Sequence, residues 1–247
     1  MKRHGEYGYD APYALIAFAT FGAVGLIAAI VLLSRGSRHA AIVVGGYGAF
    51  FLANAASFFY TTTRGKFQVW QTIIDDLRLR GDERVLDMGC GRGAVLTAVA
   101  KNLRTGRVTG VDLWSTHDQS GNSPNVTLRN ASLEGVRDRI TVETGDMRAL
   151  PFPDETFDLV VSSLAIHNIP SSAARTKAVA EAWRVLKAGG RLVIADIRAT
   201  AGYAETLRTL GAPDVARRRL GWRFWYGNPL AATSLVTASK AVGSPRV

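Results

Sequence analysis

The sequence has few of the residues that build disulfides and metal sites. It contains one cysteine and four histidines among 247 residues. A single cysteine cannot form a disulfide within the chain, which suits a domain in a reducing compartment. The histidines lie far apart, and no spacing of histidine, cysteine and acidic residues matches a metal-binding pattern. We therefore predict a cytoplasmic domain that uses no metal ion.

Charged side chains are missing from two long runs near the N-terminus. Residues 13–34 and 40–60 contain none, and Asn54 is the only strongly polar residue of the second run. Each run has about 20 residues, enough for a helix to cross the roughly 30 Å hydrocarbon layer of a bilayer. A signal peptide has a shorter apolar region, and a core helix of a soluble protein is seldom so uniformly apolar. We predict a transmembrane hairpin over residues 13–60.

Basic residues predict how this hairpin is oriented. They flank both of its ends, as Lys2, Arg3, Arg64 and Lys66, whereas the short turn holds only Arg35 and Arg38. This bias places both termini, and the domain that follows, in the cytoplasm of a bacterial-type inner membrane. Glycine and alanine recur in both runs and would let helices pack closely, either within the hairpin or between protomers. A homo-oligomer through these helices is therefore left open.

The composition changes to that of a soluble domain after residue 60. We divide the chain into a cytoplasmic N-terminus (1–12), the hairpin (13–60), a linker (61–66) and a catalytic or binding domain (67–247). From residue 84 onward, short apolar runs alternate with amphipathic helical patterns. Repeated alternation of this kind predicts an open parallel α/β sheet with helices on both faces.

A glycine-rich loop follows the first predicted strand. The strand, residues 85–88, contains Asp87, and Gly89, Gly91 and Gly93 follow at a spacing of two. Glycine tolerates positive φ and leaves backbone amides uncovered, while the next helix turns its positive end toward the same place. In a dinucleotide fingerprint the third glycine comes one position later. The spacing therefore favours a different nucleotide-like ligand.

Residues 85–93, Val-Leu-Asp-Met-Gly-Cys-Gly-Arg-Gly, resemble motif I of the class I S-adenosylmethionine-dependent methyltransferases. Residues 150–163 are similar to the small-molecule members that include quinone-modifying enzymes. The resemblance covers residues 84–197, and Ala188 departs from it where the family usually has proline. It implies a Rossmann-like, doubly wound methyltransferase sheet, with S-adenosylmethionine as the cofactor and S-adenosylhomocysteine as the product.

Further cofactor contacts are expected at the ends of later strands. Asp112 ends the second strand about 20 residues past the glycines, where a carboxylate can accept both ribose hydroxyls, although a helix cap or loop acid is the alternative. Leu113 would then lie against the adenine. The resemblance implies that Asp146 receives the adenine amino group while Met147 packs on the ring; a solvated turn acid is the alternative. The full predicted set is Asp87, Gly89, Cys90, Gly91, Gly93, Asp112, Leu113, Asp146, Met147 and Ser163.

Methyl transfer requires alignment and exclusion of water, and a base only when the acceptor must lose a proton. His167 follows the fourth strand and is the candidate base, with a role in ordering its loop as the alternative. The polar loop 114–123 offers Trp114, His117 and Asp118 as acceptor-lining residues or as a His–Asp pair. An ordinary solvated loop is an equal alternative there.

The C-terminal part is strongly basic. Residues 198–247 contain eight Lys and Arg against two acids, and Arg217–Arg219 precede an aromatic segment at 222–226. Basic and aromatic groups together suit anionic lipid headgroups, and also a nucleic-acid backbone. Alternatively, Tyr226 and residues 235–238 are strands that close the sheet. We favour lipid, because two apolar runs already hold the domain at a bilayer, and we expect no nucleic acid.

These features predict a membrane-anchored S-adenosylmethionine-dependent methyltransferase. Its acceptor would be a small hydrophobic or lipid-like molecule such as a quinone, a prenyl ring or a lipid headgroup. A non-enzymatic alternative is a membrane scaffold or sensor that binds S-adenosylmethionine. Methylation of RNA or protein is a third interpretation, but residues 162–165 lack the Asn-Pro-Pro-aromatic type of motif.

Overall fold

The computed structural model describes residues 3–115, 119 and 121–243. It begins with two antiparallel helices, α1 (Pro12–Ser34) and α2 (Arg38–Tyr60). Each has 23 residues and is therefore about 34 Å long. Both helices are long and apolar enough to cross a membrane by length and composition. The apolar runs at 13–34 and 40–60 thus form the helices that their patterns predict.

Glycines bring α1 and α2 into close contact. A Cβ atom on Gly25 would lie 2.8 Å from the Cα of Gly48, and one on Gly48 would lie 2.9 Å from the amide nitrogen of Leu26. Small residues therefore permit close packing within the hairpin. The opposite faces of both helices expose large apolar side chains, among them Ile16, Phe21, Ile27, Ile30, Ile42, Tyr47 and Phe50.

The hairpin continues into the next domain without leaving the helical path. A π-helical turn, Thr61–Gly65, joins α2 to α3 (Lys66–Leu77), so the segment predicted as a linker at 61–66 is helical. The C-terminal segment stabilises this wide turn, because the Thr61 hydroxyl donates to the Trp225 carbonyl at 2.6 Å. Gly65 permits the approach, since a Cβ there would lie 1.9 Å from the Arg223 carbonyl oxygen.

A seven-stranded sheet forms the centre of the second domain. Its order is β3-β2-β1-β4-β5-β7-β6, and all neighbours from β3 to β5 are parallel, whereas β7 is antiparallel to both of its neighbours. The strands are β1 (Arg84–Met88), β2 (Arg107–Asp112), β3 (Ile140–Thr144), β4 (Phe157–Ser163), β5 (Leu186–Asp196), β6 (Ala216–Arg219) and β7 (Ser234–Ser239). The predicted Rossmann-like, mostly parallel α/β sheet is confirmed.

Four more helices, with α3, cover the two faces of the sheet. They are α4 (Ala94–Ala100), α5 (Pro124–Leu133), α6 (Ser172–Arg184) and α7 (Thr200–Thr209). Apolar clusters fill the space on both faces, one around Trp70 and Leu96 and the other around Trp183 and Tyr203. The strand order reverses direction at β1, and ligands of open α/β sheets bind beyond the carboxyl ends of strands at such a point.

The far edge of the sheet agrees only in part with the alternative that Tyr226 and residues 235–238 are its closing strands. Residues 235–238 do lie in β7, but Tyr226 belongs to a loop, and the edge strand β6 is instead Ala216–Arg219. Tyr226 is drawn away from the sheet because its ring packs edge-on against Phe58 of α2, with centroids 5.0 Å apart. All four residues of β6 are exposed, as suits a basic edge strand.

Candidate functional site

A cavity of about 650 Å³ lies beyond the carboxyl ends of the strands. Its volume falls within the range of roughly 300–1,000 Å³ that is typical of small-molecule sites. The loop after β1 and the end of β2 form its polar side. The base of the hairpin and α3 form the other side, through Tyr13, Phe58, Phe67 and Trp70. One cavity therefore joins the glycine loop to the apolar hairpin.

The glycine loop has the open backbone that its sequence predicts. Gly89, Gly91 and Gly93 all have positive φ. At Gly89 a side chain is also excluded by space, because a Cβ would lie 2.2 Å from that of Ala165. The Gly89 amide donates to the Val111 carbonyl at 2.8 Å, which fixes the loop to the end of β2. The cradle is thus bare backbone held in one conformation.

Asp112 lies at the edge of this cradle and orders it. Its carboxylate accepts hydrogen bonds from the Gly91 amide at 2.8 Å, the Trp114 amide at 2.7 Å and the Asn122 side chain at 3.1 Å. Two carboxylate oxygens offer about four acceptor positions, so capacity remains for hydroxyl groups of a ligand. The same residue lines the cavity.

Asp87 is the buried acid of the site. Its side chain lines the cavity, and its Oδ2 atom has no hydrogen-bond partner among the residues that the structure describes. Burial, together with the negative charge of Asp112, raises the pKa of Asp87 to about 8. Burial also raises the pKa of the neighbouring Cys90 thiol, so that thiol is not a reactive nucleophile. A cation is the ligand group that an unpaired, buried carboxyl would favour.

The predicted adenine contacts also line the cavity. Leu113 is 61% exposed, as it would be if a ligand ring covered it. Met147 reaches the glycine loop, since its Cε atom would lie 3.2 Å from a Cβ on Gly89. Asp146 differs from the expectation in one respect, because Arg148 already forms an ion pair with it at 2.5 Å. The hydrogen bonds from Arg148 lower the pKa of Asp146 and keep it an acceptor.

Ser163 acts through an aromatic neighbour. Its hydroxyl accepts a hydrogen bond from the Trp70 indole nitrogen at 2.9 Å, and both residues line the cavity. The end of β4 therefore fixes the orientation of an α3 side chain. In this arrangement Ser163 shapes the aromatic side of the cavity as well as the side near the predicted cofactor.

His167 lies in a short turn after β4 and is oriented by a buried acid. Its amide donates to Asp196 Oδ2 at 3.0 Å, and its ring Nδ1 lies 2.6 Å from Asp196 Oδ1, although that contact is not aligned as a hydrogen bond. The Tyr203 hydroxyl also donates to Asp196 at 3.2 Å. Sequence reasoning missed Asp196, although it ends a predicted strand just as Asp112 does. The predicted His117 and Asp118 lie outside the described residues.

A second polar cluster at the base of the hairpin was also missed. Lys66 forms an ion pair with Asp10 at 2.6 Å, and the Tyr226 hydroxyl donates to the same carboxylate at 2.7 Å. The Thr62 hydroxyl donates to it at 3.0 Å. Asp10, Lys66 and Tyr226 all line the cavity. These residues are distant in the sequence, and no local pattern indicates that they meet.

The N-terminal segment, residues 3–10, packs along the glycine loop. Gly5 donates its amide to Glu134 at 2.8 Å, and the Tyr7 hydroxyl donates to the same carboxylate at 3.0 Å. Burial would raise the pKa of Glu134, but hydrogen bonds from Lys101, this segment and Tyr7 hold it at about 2. Gln119 bridges the segment to the loop, donating to the Tyr7 carbonyl and accepting from the Arg92 amide.

Metal ligands do not gather in the part of the chain that the structure describes. Within residues 3–115, 119 and 121–243, no group of three or more histidine, cysteine, aspartate or glutamate side chains is placed to hold a metal ion.

Comparisons with known proteins point to one family of domains. Residues 86–194 match the family model described as a methyltransferase domain. The chain is 34% identical over 148 residues to 27-O-demethylrifamycin SV methyltransferase of Amycolatopsis mediterranei, which covers 57% of this chain and 50% of that protein. It is 36% identical over 118 residues to demethylmenaquinone methyltransferase of Lactiplantibacillus plantarum, covering 47% and 46%. The chain thus spans about half the length of these curated relatives.

The fold is also found in solved structures. An S-adenosylmethionine-dependent methyltransferase from Aquifex aeolicus aligns with a TM-score of 0.53 at 19% identity, covering 69% of this chain and 88% of that one. At this identity the likeness shows the fold alone. Together, the domain match and the relatives indicate a methyltransferase domain at residues 86–194, and the solved structure shares its fold.

Proposed function

We propose that this chain is a membrane-anchored S-adenosylmethionine-dependent methyltransferase that acts on a small hydrophobic or lipid-like acceptor. The observation that carries the proposal is that one cavity joins the glycine loop to the base of the hairpin. Its polar end suits the cofactor, and its aromatic end suits an apolar acceptor. A soluble acceptor would give no reason for an apolar hairpin to form part of the wall.

The residues at the polar end fit the cofactor. The open backbone at Gly89 and Gly91 leaves room for a ligand to approach, and the Asp112 carboxylate is held at the cavity edge for ribose hydroxyls. The unpaired carboxyl of Asp87 suits a cationic group, and Met147 offers an apolar surface to a ring. When bound, S-adenosylmethionine supplies an activated methyl group on a sulfonium.

The residues at the other end would hold the acceptor and exclude water. Phe58, Phe67 and Trp70 surround that part of the cavity, and the hydrogen bond to Ser163 keeps the Trp70 ring in place. Alignment and a dry surrounding are most of what methyl transfer asks of a protein. The aromatic side chains therefore serve to position an apolar acceptor.

His167 is the proposed base for an acceptor that must lose a proton. Its Nδ1 faces the buried Asp196, so its Nε2 is the ring nitrogen left to receive a proton from the acceptor. Asp196 is a positioning residue that holds the His167 turn and faces its ring. A carbon acceptor of the quinol type and a hydroxyl acceptor would both release their proton to this atom.

Membrane anchoring is supported by the hairpin itself. Two helices of sufficient length and apolar composition expose large side chains on their outer faces. Basic residues at both ends favour a cytoplasmic catalytic domain, as the charge bias predicts. A relative named for demethylmenaquinone makes a quinone-type acceptor the first to test. Assembly of protomers through the outer faces stays a prediction.

The full chain reconstituted in lipid vesicles tests this function. We expect calorimetry to detect S-adenosylmethionine binding that Asp112→Ala abolishes and that Asp138→Ala, a change at an exposed surface acid, leaves intact. With methyl-labelled cofactor and demethylmenaquinol in the vesicles, label should enter the organic extract. Binding without transfer to any membrane lipid would favour the sensor or scaffold, and a folded protein that binds no cofactor would contradict the proposal.

A further inference from the structure

The loop 227–231 turns back along the hairpin. The Asn228 side-chain amide donates to the Asn54 side-chain oxygen at 2.7 Å, and a Cβ on Gly227 would lie 2.9 Å from that same oxygen. Asn54 precedes Tyr60, the last residue of α2, by six positions. At 1.5 Å per residue, the loop therefore reaches about 9 Å back along the helix from its end.

This position corresponds to a depth inside a bilayer. Asn54 is the seventeenth residue of α2 and lies about 24 Å from its first residue. The whole helix, about 34 Å long, is only slightly longer than the roughly 30 Å hydrocarbon layer. When the hairpin spans a membrane, Asn54 therefore lies within the hydrocarbon of the cytoplasmic leaflet. The loop that contacts it lies at the same level.

The N–H groups at residues 229–231 of the loop are suited to such a place. Pro229 has no N–H group, the Leu230 amide donates to the Asn228 side chain at 2.9 Å, and the Ala231 amide donates to the Asn228 carbonyl at 3.0 Å. No N–H is therefore left free at residues 229–231. Irregular backbone within a membrane must satisfy its polar groups internally, because lipid offers no partner. The Asn54 side chain meets the same requirement, because its Nδ2 atom donates to the Phe50 carbonyl at 2.8 Å.

The exposed side chains around the loop are of the three kinds that occur at a membrane interface. Leu230, at its tip, is 97% exposed, which is costly for a leucine in water. Trp222 stacks on Tyr60 at the end of α2, with ring centroids 5.2 Å apart, and remains 57% exposed. Arg217–Arg219 of the edge strand are all exposed. An apolar tip, an aromatic layer and a basic layer match hydrocarbon, interface and anionic headgroups.

We propose that the loop 227–231 is a second membrane-inserting element and forms the lipid-facing entrance of the cavity. Leu230 and Ala231 line the cavity together with Tyr13 at the start of α1. A membrane-dissolved amphiphile therefore enters sideways from the cytoplasmic leaflet, with its reactive ring passing this loop and its tail remaining in lipid. This inference rests on the proposed membrane anchoring and adds the route by which the acceptor arrives.

Depth-dependent fluorescence quenching tests the insertion. The full chain carrying Leu230→Cys, labelled with an environment-sensitive fluorophore, is reconstituted in vesicles that contain anionic lipid and lipids with quenchers at defined acyl positions. Cys90 is buried, and unsubstituted protein measures its background labelling. Phe50→Cys, on the exposed face of α2, reports the membrane interior. Val242→Cys is the matched control, because its side chain is 87% exposed and lies beside Gly189, at the opposite end of β5 from the cavity.

We expect the fluorophore at position 230 to show blue-shifted emission. Quenchers near the headgroup end of the acyl chains should quench this emission. Position 50 should respond to deeper quenchers, and position 242 to none. Quenching at position 50 without quenching at position 230 would overturn the insertion of the loop and leave the anchor intact. Absence of quenching at both positions would overturn the anchor and this inference together. Cofactor binding by each labelled protein verifies that it is folded and tests the catalytic proposal separately.

Discussion

The protonation of Asp87 makes a quantitative prediction about cofactor binding. Asp87 is buried at the end of β1, and Asp112 is the nearby negative charge that acts on it, while a hydrogen bond from the Leu96 backbone opposes the shift. With a pKa of about 8, Asp87 is mostly protonated at neutral pH. A cation placed beside it favours the ionised form, so binding of a sulfonium or ammonium group should release this proton.

The size of the effect follows from the pKa. Below about pH 8, the apparent dissociation constant of the cofactor should rise about tenfold for each unit by which the pH falls, because Asp87 must lose its proton before the cation can bind. Between about pH 9 and about pH 7 the loss is about tenfold, or about 1.4 kcal/mol. The sign for folding is opposite to the usual case of an acid with a depressed pKa. The folded state here holds a proton that the unfolded chain releases, so this group lowers stability as pH rises from about 4 toward 8.

Calorimetry on the wild type and on Asp87→Asn measures this effect. The cofactor has its own α-amino group, which titrates near pH 7.7–8.0, and Asp87→Asn reports that contribution alone. Between about pH 9 and about pH 7, the wild type should lose about tenfold more affinity than the variant loses. S-adenosylhomocysteine, which lacks the sulfonium, should show less of this difference. Equal pH dependence in wild type and variant would refute the assignment of Asp87 as a buried partner of the cation.

Three further substitutions follow from the structure. Asp112→Asn removes the charge from the carboxylate that accepts the Gly91 amide and is proposed to accept the ribose hydroxyls. A hydrogen bond to a charged group contributes about 1.5–3 kcal/mol, so calorimetry should show roughly ten- to hundredfold weaker cofactor binding. Unchanged affinity would contradict the ribose role. Gly65→Ala places a Cβ against the Arg223 carbonyl and should cost about 1–3 kcal/mol of stability, measured as a lower melting temperature in detergent. Gly46→Ala is the control and should leave the melting temperature unchanged, because no atom of the described residues lies within 4 Å of the added Cβ. Asp196→Asn removes the acid beside His167 and should lower kcat at least about tenfold with cofactor affinity unchanged; an equal loss of both would indicate a structural role only.

The parts of the fold that local patterns determine could be predicted from the sequence. The strand at Arg84–Met88, its glycine loop and the acid at Asp112 are encoded within about 30 consecutive residues, where apolar runs and glycine spacing are direct signals. The two apolar helices are equally local. Their boundaries in the structure differ from the predicted runs by no more than two residues.

Contacts between distant residues could not be predicted in this way. The ion pair between Asp10 and Lys66 joins residues 56 positions apart, and the hydrogen bond from Tyr226 to Asp10 joins residues 216 apart. The change of composition after residue 60 predicts a linker at 61–66, whereas the structure has a π-helical turn at Thr61–Gly65. Its cause lies in the Trp225 and Arg223 carbonyls, more than 150 residues away.

The unbroken helical path from Arg38 to Leu77 has a consequence for the way this protein would meet its membrane. A helix of 40 residues extends about 60 Å, which is twice the thickness of the hydrocarbon layer. Trp70 of the cavity wall therefore lies on the same helical segment as Arg38, at the turn of the hairpin. In the proposed membrane-anchored form, this helix would hold the cavity at a fixed height above the bilayer midplane. In a thicker or thinner bilayer this helix would change its tilt. The tilt would change which part of a membrane-dissolved acceptor lies opposite the glycine loop. The length of acceptor that the protein methylates would then depend on the thickness of the bilayer.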